Sequence, residues 1–141
     1  VKHLLNFDSK IVLITGAASG IGREVARQLC AAGSLVVAAD KDMVGLRHLE
    51  TELINYKGCV EIHAVDVTQV ETLRKFIENA AIKHGRIDYL FNNAGIAGKL
   101  GEVRDLHVED WDKIMGINLM ATIHGTSTSC RKSVPGFTRP N

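Results

Sequence analysis

Ile11-Val12-Leu13-Ile14-Thr15-Gly16-Ala17-Ala18-Ser19-Gly20-Ile21-Gly22 decides how this 141-residue chain folds. Four apolar residues, a glycine-rich turn and the amphipathic run Arg23-Glu24-Val25-Ala26-Arg27-Gln28-Leu29 read as a strand feeding directly into a helix. A helix opened in this way aims its unpaired N–H groups and the positive end of its dipole at one spot, which favours a phosphate. Glycines let a diphosphate lie against the backbone itself. The spacing is Gly-x-x-x-Gly-x-Gly, and no Lys-Ser/Thr follows Gly22, which excludes a Walker-type NTPase or kinase loop.

Outward from this stretch the pattern repeats. Leu35-Val36-Val37-Ala38-Ala39-Asp40 is a second apolar run ending in an acid, and Leu46, Leu49 and Leu53 follow at helical spacing. Val60, Ile62, Ala64 and Val65 lead to Asp66-Val67, and Thr68-Gln69-Val70-Glu71 reads as a capping box opening a helix with Val70, Leu73, Ile77, Ala80 and Ala81 on one face. Ile87–Phe91 is a fourth strand. Each helix closes near a glycine (Gly33, Gly58, Gly85) with a strand soon after, so the order is βαβαβαβ with short connections. Such alternation implies a doubly wound parallel sheet covered on both faces, with ligands bound at the carboxyl ends of its strands. Asp40, Asp66 and Asn92-Asn93 all fall at those ends.

Composition narrows the partners. Seventeen basic and sixteen acidic residues give a net charge of +1, which offers no electrostatic case for nucleic acid or an anionic membrane. No apolar run approaches the ~20 residues of a membrane span, and the N-terminal stretch is too short and polar for a signal peptide, so a cytoplasmic location is expected. Cys30, Cys59 and Cys130 show no metal-ligand spacing; Cys30 and Cys59 are expected as small core residues.

Asp40 stands eighteen residues beyond Gly22, close to the ~20 expected for the acid that accepts hydrogen bonds from an adenosine ribose. A carboxylate there repels a 2′-phosphate, so NAD is favoured over NADP, with Lys41 able to soften the preference.

With these residues in hand the chain resembles the short-chain dehydrogenase/reductase family over roughly Asp8 to Thr126. Thr15-Gly16-Ala17-Ala18-Ser19-Gly20-Ile21-Gly22, Asp66-Val67 and Asn92-Asn93-Ala94-Gly95 match its three cofactor-side signatures in order and spacing. The resemblance implies a Rossmann-like α/β sheet and a dinucleotide held by Gly16, Ser19, Gly20, Ile21, Gly22 and Asp40. It also implies that Asp66 and Val67 contact the adenine, that Asn93, Ala94 and Gly95 lie along a ribose, and that Asn92 helps hold the fourth strand. Val108–His124 reads as one helix with Trp111, Met115, Asn118 and Thr122 on a stripe. On spacing alone Asn118 is a buried amide satisfied by backbone; the family match makes it the catalytic asparagine that supports a water in the proton relay.

The match stops there. Family members transfer a hydride between NAD(P) and an alcohol/carbonyl pair using a Ser, a Tyr and a Lys, the last two as Tyr-x-x-x-Lys on one helix face. Here the fourth residues after Tyr56 and Tyr89 are Val60 and Asn93. Residues 126–141 carry both prolines, no acid and almost no aliphatic residue, so an irregular basic tail is expected after a domain spanning 1–125. Val134-x-Gly136-Phe137-Thr138-Arg139 resembles the segment that follows the catalytic Tyr-x-x-x-Lys, with Ser127 and Arg131 at the Tyr and Lys positions, which neither can replace. The expectation is an NAD-binding portion, truncated or internally deleted after the fourth strand and its following helix, and inactive by itself. A non-catalytic dinucleotide-binding or subunit-interaction module, associating as a homo- or hetero-oligomer through the Trp111 helix, is the rival reading, and an aberrant gene product is the third.

Overall fold

The computed structural model describes residues 6–99 and 101–133. The reading of the first five residues and the match at Val134–Arg139 lie outside them.

Four parallel strands, β1 (Ile11–Thr15), β2 (Leu35–Asp40), β3 (Cys59–Ala64) and β4 (Tyr89–Asn92), form one sheet in the order β3-β2-β1-β4. Val12 pairs with Val36 on one side and Tyr89 on the other, and Thr15 with Ala39 and Asn92. Helices α1 (Gly20–Ala31), α2 (Met43–Leu53) and α3 (Val70–His84) make the crossovers. Because alternate strand residues face opposite ways, the central strands serve two cores. Val12, Ile14, Val36 and Ala38 pack with Ala26 and Cys30 of α1 and Leu46 and Leu49 of α2. Leu13, Val37 and Ala39 pack with Leu73, Phe76, Ile77 and Ala80 of α3. Burial on both faces explains why β1 and β2 read as unbroken apolar runs.

After β4 the chain forms a short 3-10 turn and then α4 (Val108–Met115), a π-helical turn (Gly116–Met120) and α5 (Ala121–Ser133). Helix was expected to end at His124, with irregular chain from 126. It continues to Ser133 because α5 has tertiary partners that outweigh the weak helix propensity of its Ser/Thr-rich sequence. Ala121 is buried in the α3-side core, α5 packs on α3 and β4, and Asn92 Nδ2 donates to Thr126 Oγ1 at 3.1 Å.

Three local expectations are corrected. Cys59 is exposed, because it opens the edge strand β3 on which neither face is fully covered; Cys30 is buried as expected. Thr68 does not cap α3: its hydroxyl and its N–H both bond to Asp66 Oδ1, Gln69 stands at the N-cap, and Glu71 pairs with Arg74. The nearby carboxylate outcompetes the helix end for the hydroxyl. The fourth strand is displaced by two residues at its start, with Ile87 buried in the core ahead of it.

Leu49 is fully buried beneath the α1–α2 layer, whereas Ile21 is 72% exposed. Leu49→Ala should lower unfolding free energy by about 2–5 kcal/mol and Ile21→Ala by less than about 0.5 kcal/mol, both read from urea denaturation midpoints.

Candidate functional site

The turn between β1 and α1 holds its shape through two glycines with left-handed backbone, Gly16 (φ 69°) and Gly20 (φ 54°). A Cβ at Gly16 would stand 2.8 Å from Ala94 Cα, whereas one at Gly20 would meet nothing within 4 Å. Gly16 is thus needed for close packing, and Gly20 for a turn that keeps its outer side open. Arg23 N–H makes the first helical bond, to Ser19 O at 3.2 Å, which leaves the N–H groups of Gly20, Ile21 and Gly22 as the orphan donors of the helix end. The Ser19 side chain makes no capping bond.

The fourth strand locks this turn from behind. Asn93 Nδ2 donates to Thr15 O (3.1 Å) and Gly16 O (3.0 Å), and Thr15 Oγ1 accepts from the N–H groups of Asn93 (3.1 Å) and Ala94 (3.2 Å). The tie between β4 and the glycine turn is made by Asn93, while Asn92 faces Thr126 and anchors α5 instead.

Both strand-end acids are oriented by their own backbone neighbourhood. Asp40 Oδ2 accepts from Ala18 N–H and Oδ1 from Asp42 N–H, each at 3.0 Å. Asp66 is held below the usual carboxylate range, first by the Thr68 hydroxyl at 2.7 Å and then by the Thr68 N–H at 2.9 Å. It stays ionised in mildly acidic solution.

These parts surround a cavity of about 460 Å³. Gly16, Ser19, Gly20 and Ile21 form one wall, Asp40, Asp66 and Val67 another, and Asn93, Ala94 and Gly95 a third. Lys41, read from the sequence as a neighbour able to soften the Asp40 preference, also lines it, as do Asp42, Val65, Ile96 and Ile117, which the sequence did not mark as site residues. Asp42 lies two residues beyond the strand-end acid and Ile96 follows Gly95, so adjacency was their only signal. Gly22 does not reach the wall. It is buried behind the turn, where a Cβ would overlap the Gly16 carbonyl oxygen. Asn118 is also off the wall: its Oδ1 accepts from Ile96 N–H and its Nδ2 donates to Ile96 O, both at 2.9 Å. The amide is satisfied by backbone, as spacing alone implied, but it is exposed rather than buried, because the π-helical turn that carries it packs on the sheet through Ile117 instead; it fixes Ile96 at the cavity rim.

A family model described as short chain dehydrogenase matches residues 10–134. The chain is 35% identical over 122 residues to the 3-oxoacyl-[acyl-carrier-protein] reductase FabG of Thermotoga maritima, covering 86% of this chain and 49% of that protein. It is 36% identical over 115 residues to the D-threitol dehydrogenase of Mycolicibacterium smegmatis, covering 82% and 44%. Among solved structures, NAD+-bound xylitol dehydrogenase superposes with a TM-score of 0.85 at 27% identity over 91% of this chain and 49% of that one. A metagenomic short-chain oxidoreductase in complex with NADP gives 0.85 at 31% identity over 89% and 57%. The chain spans about half the length of the curated relatives it matches. No helix among the described residues is long and apolar enough to cross a membrane.

Thr15→Val keeps the volume but leaves the Asn93 and Ala94 N–H groups without their acceptor, and should destabilise by about 1–3 kcal/mol in denaturant unfolding. Thr68→Val should raise the Asp66 titration midpoint, followed by carboxyl carbon NMR. In the parent chain, the folded carboxyl lies below its unfolded value. Its stabilising contribution is therefore complete above the unfolded pKa of about 3.9 and disappears as pH falls through the folded one.

Proposed function

The chain belongs to the short-chain dehydrogenase family, and on that premise we propose that its cavity holds NAD and that the whole protein transfers a hydride between NAD and an alcohol/carbonyl pair. The residues present fit the cofactor. Gly20 is open where a side chain would fill the cradle, and orphan helix N–H groups stand beside it for a diphosphate. Asp40 lines the same cavity, and each of its oxygens keeps a lone pair for a ribose hydroxyl after bonding Ala18 or Asp42. Asp66 and Val67 are suited to an adenine edge, and Asn93, Ala94 and Gly95 to a ribose. Bound there, the nicotinamide would supply the hydride donor or acceptor.

The single observation that carries the preference for NAD is the pinned Asp40 carboxylate in the cavity wall. A 2′-phosphate beside it would place two anions together with little freedom to separate. Lys41, also on the wall, moderates this repulsion. Asn118 positions Ile96 and is the remaining member of the catalytic set. Without a Tyr-x-x-x-Lys pair these 141 residues do not catalyse hydride transfer by themselves. A cytoplasmic location belongs to this reading.

A second reading, subunit interaction, is favoured by the outer face of α4 and α5. Trp111, Met115, Leu119 and Ile123 are all more than 40% exposed at four-residue spacing, beside an edge strand β4 whose Tyr89 and Phe91 are exposed as well. Association of the chain through this face is part of the proposal.

Fluorescence titration should give NADH a dissociation constant at least about tenfold below that of NADPH, and Asp40→Ala should weaken NADH about tenfold or more while narrowing the difference. Equal or tighter NADPH binding would refute the preference. In sedimentation velocity, Trp111→Glu should shift the chain toward monomer; a parent chain that is already monomeric at tens of micromolar would rule out self-association.

A further inference from the structure

A second cavity, also about 460 Å³, opens between the segment that follows β4 and helix α4. Ile96, Gly98 and Lys99 form one side and Asp110, Lys113 and Ile114 the other. It meets the first cavity at Ile96, the residue whose N–H and C=O are both held by Asn118. Gly98 lies so close to Ile114 that a Cβ there would overlap the isoleucine side chain. That contact draws the segment onto α4 and brings Lys99 to the same opening as Lys113.

The charges of this opening are not balanced from within. Among the described residues, eight lysine and arginine side chains lie within 4.0 Å of a carboxylate, including Arg23, Arg27, Lys57 and Arg74. Lys99 and Lys113 have no such partner there. The one acid on the wall, Asp110, already accepts the His107 N–H at 3.1 Å at the start of α4. Two ammonium groups against one carboxylate therefore leave a net positive charge over an aliphatic floor of Ile96 and Ile114, a combination that suits a small molecule with an apolar body and an anionic end.

We propose that this second cavity seats a carboxylate or phosphate group of the alcohol or carbonyl substrate, with Lys99 and Lys113 as its cationic partners and Ile96 marking the junction with the dinucleotide cavity. The proposal rests on the first cavity being the NAD site.

Amide NMR of the whole chain, titrated at constant ionic strength with inorganic phosphate, with acetate and with glycerol as neutral control, tests it. NADH is titrated into the same sample. Saturable shifts at residues 96–99 and 113–114 are expected with a dissociation constant on the order of 1 mM, typical of a small ion held by few contacts. Whichever of acetate and phosphate binds more tightly identifies the anionic group. Lys99→Met/Lys113→Met should weaken this binding at least tenfold and leave NADH binding within twofold. Mapping on the parent chain keeps the test decisive if that variant does not fold. Anion shifts confined to residues 19–22, or no difference from glycerol, would overturn the proposal while NADH binding leaves the first reading standing. Anion shifts at the lysines without NADH binding would support the anion site and overturn the dinucleotide reading.

Discussion

The close approach of three backbone segments at the end of β1 governs everything built above the sheet. Asn93 reaches from the end of β4 to the carbonyls of Thr15 and Gly16, Thr15 returns two acceptor bonds through one hydroxyl, and α1 begins against the same carbonyl with no room for a side chain at Gly22. Each contact requires the others. Buried N–H and C=O groups must be paired, and here the pairing is possible only if β4 lies beside β1 in one register. The result is a rigid floor from which helix N–H groups project outward.

The same economy appears in the acids. Asp40 closes β2, restrains the glycine turn through Ala18, and orders the start of the next connection through Asp42, whose own carboxylate accepts from Val44 and Gly45 at the head of α2. Two backbone hydrogen bonds thus fix the position of this carboxylate as well as the course of the chain around it. Asp66, gripped by Thr68, is fixed in the same manner at the next strand end. The cavity walls thus come largely from strand termini ordered by hydrogen bonds, while Asn118 fixes the Ile96 rim from the helical run and Ile117 of the same run joins the wall.

Beyond β4 the physical balance changes. The central strands are buried on both faces, whereas β4 is short, stands at one edge of the described sheet and leaves Tyr89 and Phe91 exposed. The helical run from Val108 to Ser133 buries little on its α4 side and is secured mainly by α5 against α3 and by the Asn92–Thr126 bond. A site rim on one side and an apolar outer stripe on the other follow from that geometry.

The sequence alone determined the alternating strands and helices, the parallel sheet and most of the cavity. These rest on local signals: apolar runs long enough for buried strands, helical spacing of leucines, glycines at turns, and acids placed at strand ends. What it misjudged were competitions between local and distant partners. Thr68 reads as a helix cap until its hydroxyl finds Asp66, Cys59 reads as core until β3 proves to be an edge strand, and Ser/Thr-rich residues after 125 read as tail until α5 packs on α3. Tertiary structure also decided that Gly22 serves packing, that Asn93 ties strand to turn, and that Asn118 is spent on Ile96. A motif fixes which residues are near one another along the chain. Only the folded backbone fixes which unpaired donor or acceptor each of them must satisfy.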